Sequence, residues 1–388
     1  MMKRIVAVAA VLVMTAAWAQ AQEVKVGVNL PYTGIGAEFA QQVDRGMELY
    51  LKLNADKVTP YKITLIRRDV KDPGGANAKI AVQELLTQDN VDILAGWIYS
   101  PNAIASAPIV TAGKKLAVIM NAGTAHITNL SPYYVRTSFS MWHAGYALGE
   151  AAAKLLNAKT AVVGYTDFPP GKDSLAAFKR SFEANGGKVV DEIPMGGAGA
   201  VPDFTPFFQR AKDKKPDVFF VFVPAGDHAA AVAKTYAALG MREAGIKLIG
   251  PGDITQDTKL QPMGQSADGL ITMHHYNADL DNPENKKFVD AFKAAYKAEP
   301  DLYGADSYGL IYAYKAAVEK AKSTETDKVR EALRGLKWMT PQGEKTIRAG
   351  DHQAVQTMYV VRITNGQFKI GGEVKGDDAI GADTCTRF

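Results

Sequence analysis

The chain has 388 residues, 47% hydrophobic and 22% charged, a balance that builds a packed core and excludes disorder. Lysine and arginine are interleaved with aspartate and glutamate, and the formal net charge is only +4, so no basic stripe marks a nucleic-acid face. A lone cysteine, Cys385, excludes an internal disulfide and reads as an inert tail residue.

The N-terminus carries Lys3 and Arg4, an uncharged apolar run over 5–17, then Ala19-Gln20-Ala21. A basic segment, a short apolar run and a small-residue site in that order predict a secretory signal over 1–21, removed to leave a chain starting near Gln22 or Glu23. The run is shorter than the roughly 20 residues that span a membrane, and no cysteine beside the site offers a thiol for acylation. The remaining part exceeds the roughly 250–300 residues at which one core stops growing, which predicts two lobes.

Short β-branched runs then alternate with amphipathic stretches. Strands are predicted at 24–31, 63–70, 91–97 and 116–121, with helices at 37–55, 76–88 and 101–113 between them. Apolar strands separated by helices mean a parallel sheet covered on both faces. The pattern restarts with strands at 160–166, 188–194, 216–224 and 247–250, and helices at 173–185, 203–214 and 227–239. A further passage at 269–276 leads to helices near 285–298, 307–320 and 326–336, and 357–370 reads as a hairpin turning at Asn365-Gly366. Two successive βα runs predict an α/β fold of two Rossmann-like lobes.

The most informative stretch is Gly96-Trp97-Ile98-Tyr99-Ser100-Pro101. Ser is favoured at an N-cap and Pro at the first helical position, so Ser100 is expected to cap a helix at the C-terminal edge of the sheet. Unpaired N–H groups and partial positive charge there make a small anion site, at the edge where open α/β sheets bind ligands. The next strand ends similarly in Asn121-Ala122-Gly123-Thr124, and two such turns side by side point to one shared site.

Chemistry-bearing motifs are weak. Gly34-Ile35-Gly36 lacks the third glycine of a dinucleotide fingerprint, and neither a Gly-x-Ser-x-Gly elbow nor a His-Glu-x-x-His pair occurs. His274 and His275 are neighbours on a predicted strand and point to opposite faces, which suits a lobe crossing better than a shared metal. Asp279-Leu280-Asp281-Asn282 reads as a turn capping the helix after Pro283, since the downstream residues of a calcium loop are missing. The tyrosines at 308, 312 and 314 read as packing.

The segments Val24-Lys25-Val26-Gly27-Val28, Pro31-Tyr32-Thr33-Gly34, Arg67-Arg68-Asp69-Val70-Lys71-Asp72-Pro73, Tyr134-Val135-Arg136-Thr137 and Leu248-Ile249-Gly250-Pro251, with the two turns above, resemble the periplasmic leucine/isoleucine/valine-binding family over essentially the whole chain past the signal. The resemblance implies a type I periplasmic binding fold with three hinge crossings. It places lobe 1 at 22–141 plus 273–352, lobe 2 at 142–272 plus 353–375, and a tail at 376–388. It implies a periplasmic, monomeric, non-enzymatic partner of an inner-membrane ABC permease, with no cofactor and no metal, closing on a small carboxylate-bearing ligand.

The resemblance also implies roles. Ser100 and Thr124 hold the ligand carboxylate, and the Ala122 carbonyl faces a ligand amino group. Lobe 2 contributes from 167–171, 224–226 and the Gly252-Asp253 turn, and Tyr303 stands as an aromatic wall. Gly252 departs from the acid that amino-acid binders carry after Gly-Pro, so Asp253 either replaces it or points away. Pro170 and Pro224 stand where the family has aromatics, and Trp97, Tyr99 and Phe39 are expected to compensate and suit a ring. The family's first-lobe disulfide is absent. A branched-chain or related amino acid is the first ligand reading, and an aromatic or other non-amino carboxylate the second; a secreted enzyme or a sensor input domain stands behind both.

Overall fold

The computed structural model describes residues 22–55, 61–197, 202–255, 260 and 262–374; the predicted signal, the tail and Cys385 lie outside them. In chain order the first passage runs β1 (Gln22–Leu30), α1 (Ala37–Leu53), β2 (Tyr61–Asp69), α2 (Ala76–Thr87), β3 (Ile93–Gly96), α3 (Ser100–Gly113), β4 (Ala117–Ile119) and β5 (Tyr134–Arg136). Its strands form an all-parallel sheet in the order β2-β1-β3-β4-β5.

The second passage runs α4 (Met141–Lys154), β6 (Thr160–Tyr165), α5 (Pro169–Ala184), β7 (Lys188–Pro194), α6 (Thr205–Asp213), β8 (Val218–Phe222), α7 (Asp227–Ala238), β9 (Lys247–Pro251) and β10 (Ile271–His274). The chain then returns to the first lobe through α8 (Pro283–Tyr296), α9 (Leu302–Ala321), α10 (Thr326–Leu333) and the strands β11 (Lys337–Thr340), β12 (Gly343–Ile347) and β13 (Ala354–Val355), a small antiparallel sheet. It ends in the hairpin β14 (Met358–Thr364) and β15 (Gln367–Val374). The second sheet is ordered β15-β14-β10-β9-β8-β6-β7, parallel except where the hairpin joins β10. The fold is the two-lobed α/β arrangement expected from the βα pattern.

The chain passes between the lobes at 137–140, 275–282 and 356–357. Two of these differ from the expected boundaries. β10 continues to His274 in the second sheet, past 272, because it pairs with both β9 and β14. β13 still pairs with β12 beyond 353.

Helix α9 starts at Leu302, five residues earlier than its apolar pattern suggests, because Asp301 caps it: Tyr303 and Gly304 donate their N–H groups to Asp301 Oδ1 at 3.0 and 3.1 Å. It packs tightly on α1. A Cβ at Gly46 would stand 2.1 Å from Gly304 O and 2.1 Å from Ser307 Oγ, so only glycine permits this crossing. Helix α4 is buried almost all round, from Met141 to Ala153, which leaves no amphipathic stripe to read. Asn282 caps α8, accepting from Asn285 N–H at 2.8 Å, with Pro283 in the first turn.

Buried Asp301 has its pKa raised to about 7 by desolvation, against two N–H donors that lower it; its Oδ2 has no partner among the described residues. A folded pKa above the unfolded value means the ionised form is disfavoured in the native state, so this group weakens stability as pH rises from about 4 to 7. Asp301→Asn keeps the capping oxygen and removes the charge. Urea melts at pH 5 and pH 8 are expected to show the variant gaining on wild type by about 2–4 kcal/mol at the higher pH; an equal difference at both would refute this account.

Candidate functional site

Both turns singled out from the sequence meet at the C-terminal edge of the first sheet, facing the second lobe. Ser100 is the first residue of α3; Tyr99 takes the N-cap position and Pro101 the second helical one. The serine is therefore not the cap. Its Oγ accepts the Thr124 N–H at 3.1 Å, tying the two turns together. The Thr124 hydroxyl is buried with no partner among the described residues, and a first-turn N–H has no intrahelical acceptor. This corner is a cluster of donors.

Its geometry is set from behind by Arg136, only 1% exposed. The guanidinium donates to the carbonyls of Ala122 and Thr124 at 2.7 Å each, to Ala125 O at 3.0 Å, and to Gln353 Oε1. The Ala122 carbonyl, expected to face a ligand amino group, accepts from Arg136 on its lobe 1 side. Of the turn's N–H groups, that of Ala122 donates to Trp97 O at 2.8 Å and that of Thr124 to Ser100 Oγ, while that of Ala125, on the peptide of the inward Thr124 carbonyl, faces the second lobe. Ala125 N–H crosses to lobe 2 and donates to Asp173 Oδ2 at 2.9 Å.

The aromatic wall is a stack of Phe39 on Tyr303, centroids 4.9 Å apart and nearly parallel. Phe39 sits on α1 and Tyr303 in the first turn of α9, so the Gly46 contact positions both. The Tyr303 hydroxyl is held well above its ordinary range by burial, with the nearby Asp253 charge adding to it. Tyr99 tucks beneath the β1–α1 turn: a Cβ at Gly36 would meet its hydroxyl at 2.4 Å. Trp97 does not line the cleft. It adopts a left-handed backbone, φ 61°, which turns its ring into the lobe 1 core edge-on to Tyr134, centroids 5.6 Å apart.

On lobe 2, Gly252 and Asp253 follow β9, and Asp253 lines a narrow cavity with Asn121, Phe139, Ala225, His274 and Tyr303. About 10 Å³ of it is free in this conformation, the room of one water. Pro170 is buried in the first turn of α5, and Pro224 is half-buried beside Ala225, which packs against the lobe 1 core. Neither proline lines that cavity.

The structure adds residues that the sequence reading did not place in the site. Thr255 Oγ1 and His274 Nε2 are hydrogen-bonded at 3.0 Å, and Thr255 also pairs with Thr272 at 2.7 Å. The ring packs against Gly252, where a Cβ would stand 2.7 Å from Nδ1. Burial, with a smaller contribution from His275, lowers its pKa to about 3, so it is neutral. His275 points the other way, as neighbours on a strand must. It stacks on Phe139, centroids 4.3 Å apart, and its Nε2 meets Asp306 Oδ2 at 2.7 Å. Asp306 also accepts from Lys345 and Gln342, at 2.9 Å each, and Lys345 donates to Thr137 O. Burial alone would raise the Asp306 carboxyl, but Lys345 and His275 hold it below the usual range. This buried network joins two of the three crossings. No group of three or more His, Cys, Asp or Glu that could hold a metal occurs among the described residues.

Arg136→Met is expected to lower unfolding stability by about 3 kcal/mol or more, because it strips three buried carbonyls and Gln353 of donors at once. Arg136→Lys, a point cation with three donors, should recover only part of this. Denaturant titration of both variants checks it; a methionine variant within about 0.5 kcal/mol of wild type would show that the turn holds its shape without the guanidinium.

Residues 23–367 match the family model for periplasmic binding proteins. The chain is 34% identical over 363 residues to Leu/Ile/Val-binding protein homolog 6 of Brucella melitensis, covering 92% of each. Among solved structures it is 37% identical to a solute-binding protein of an ABC transporter from Rhodopseudomonas palustris BisB5 in complex with 3,4-dihydroxybenzoic acid, with a TM-score of 0.83 over 91% of this chain and 98% of that one. A solute-binding protein from Rhodopseudomonas palustris HaA2, in complex with p-hydroxybenzoic acid, is 30% identical with a TM-score of 0.87, over 93% and 100% of the two chains. A leucine-binding protein of Thermotoga maritima, 23% identical with a TM-score of 0.81 over 92% and 99%, shares the fold. The chain belongs to the periplasmic binding protein family and is a type I solute-binding protein of the ABC-transporter kind.

Proposed function

We propose that this protein captures a benzoate-type aromatic carboxylate in its interlobe cleft and delivers it to an ABC permease of the inner membrane. It is exported by the cleaved N-terminal signal, acts as a periplasmic monomer and performs no chemistry on its ligand. The carboxylate is held by the Ser100 hydroxyl and first-turn N–H together with the Thr124 hydroxyl. The ring lies along the wall of Phe39 and Tyr303, with Tyr99 behind it.

The contact of Gly252 with His274 carries this reading. Where the resemblance to amino-acid binders calls for an acid, a neutral imidazole stands 2.7 Å from the place of any Cβ, so that acid has no room. The second ammonium acceptor that the resemblance calls for, the Ala122 carbonyl, is engaged by Arg136. An ammonium brings three N–H donors, and burying them unsatisfied costs several kcal/mol. The relatives solved with hydroxybenzoic acids, at 37% and 30% identity, support the same choice.

A thermal-shift screen against benzoates, aliphatic carboxylates and amino acids tests it. A ligand at a thousandfold excess over its Kd stabilises by about 4 kcal/mol. Benzoates are expected to raise the melting temperature and leucine to leave it unchanged; the reverse would overturn the proposal in favour of an amino-acid receptor. Ser100→Ala and Thr124→Ala are each expected to weaken benzoate binding by about 1–3 kcal/mol by calorimetry. Wild-type affinity in both would put the carboxylate elsewhere.

A further inference from the structure

Lobe 2 presents to the cleft a carboxylate that the fold does not use. Asp253 lines the cavity opposite Asn121 of lobe 1, beside Ala225, Met273 and Tyr303. Among the described residues it makes no ion pair and no side-chain hydrogen bond. Desolvation raises its pKa to about 7, and only its own backbone N–H opposes this. The neighbouring imidazole brings no cation, because His274 is tethered through Nε2 to Thr255 and neutral. A crowded carboxylate of this kind is stabilised by a donor that arrives with the ligand.

The two lobes impose an order on that ligand. Lobe 1 offers the Ser100 N–H and the Ser100 and Thr124 hydroxyls, while lobe 2 offers an acceptor at Asp253. A ligand carboxylate placed against Asp253 would meet like charge at close range. The anionic end therefore goes to lobe 1, and the far edge of the ring meets lobe 2. From these placements we infer that Asp253 is a specificity-determining residue that accepts a hydrogen bond from a hydroxyl on the ring, so that the ligands of this chain are hydroxylated benzoates in preference to benzoate itself.

This inference rests on the aromatic-carboxylate reading above and deepens it. A phenolic O–H gives the carboxylate a neutral donor, whereas an ammonium would bring a charge to be desolvated and three donors to be placed. Discrimination follows from the same physics. A site built to bond a ligand hydroxyl rejects the analogue without it, because the protein's polar group is then desolvated and left unpaired. Closure by hinge motion deepens this penalty, since Asn121 and Tyr303 of lobe 1 line the same cavity as the carboxylate.

Isothermal titration of the purified wild-type protein and of Asp253→Asn, against benzoate, 3-hydroxybenzoate, 4-hydroxybenzoate and leucine, tests the inference. Wild type is expected to bind at least one hydroxybenzoate 10-fold or more tighter than benzoate. Asp253→Asn is expected to bind benzoate and the hydroxybenzoates within 3-fold of one another, and a cooperative thermal melt checks that the variant is folded. Equal affinities of wild type for benzoate and both hydroxybenzoates would overturn the role of Asp253 and leave the aromatic reading standing. So would an equal loss for all benzoates in the variant. Binding of leucine with no response to any benzoate would instead overturn the aromatic reading, and the inference with it.

Discussion

The site depends on a buried cation that no ligand touches. Arg136 lies at the end of the last strand of the first sheet, behind the turn at 122–125, and draws three of its carbonyls inward. A guanidinium in the interior is tolerated only when its donors are used, and here backbone oxygens use them. The consequence is geometric. A peptide whose C=O points in has its N–H pointing out. The Ala125 N–H, on the peptide of the inward Thr124 carbonyl, therefore faces the cleft and donates to Asp173 of lobe 2. The orientation of this turn is thus an indirect product of a positive charge placed behind it.

The same residue ties the site to the hinge. Arg136 also bonds Gln353, whose Nε2 donates to Ser138 O at 2.9 Å, so the first crossing and the approach to the third share one polar cluster with the ligand turn. The second crossing joins through His275, Asp306 and Lys345, and Lys345 reaches back to Thr137 O at 2.9 Å. Phe139 and His275 line the cavity while belonging to crossings. Ligand contact and hinge geometry are therefore made by neighbouring atoms, which is what a clamp needs if occupancy is to alter shape.

Much of this was legible in the sequence, and the exceptions have physical causes. The βα alternation gave two lobes because buried parallel strands are nearly continuous apolar runs. The turns at Ser100 and Thr124 were visible because small polar residues after such strands have few other uses. Trp97 was misplaced because the direction of a side chain after a strand depends on one backbone angle, and φ 61° sends it into the core. The role of Asp306 was hidden because its partners His275 and Lys345 lie 31 and 39 residues away, beyond any local pattern. The true start of α9 was missed because Asp301 caps a first turn whose residues are buried on every side, so no polar face announces it.

The two lobes are chemically unequal, and that inequality is the basis of selection. A receptor with donors on both lobes would take any small anion, and one with acceptors on both would take a cation. On the proposed reading, donors on lobe 1 and an acceptor on lobe 2 without a partner among the described residues select a molecule that is anionic at one end and a neutral donor at the other. The aromatic stack of Phe39 and Tyr303 requires the part between them to be flat and apolar. Each condition alone is permissive. Imposed together, on the proposed reading, they make closure itself the step at which wrong ligands are refused, because each mismatch leaves a polar group of the site without a partner.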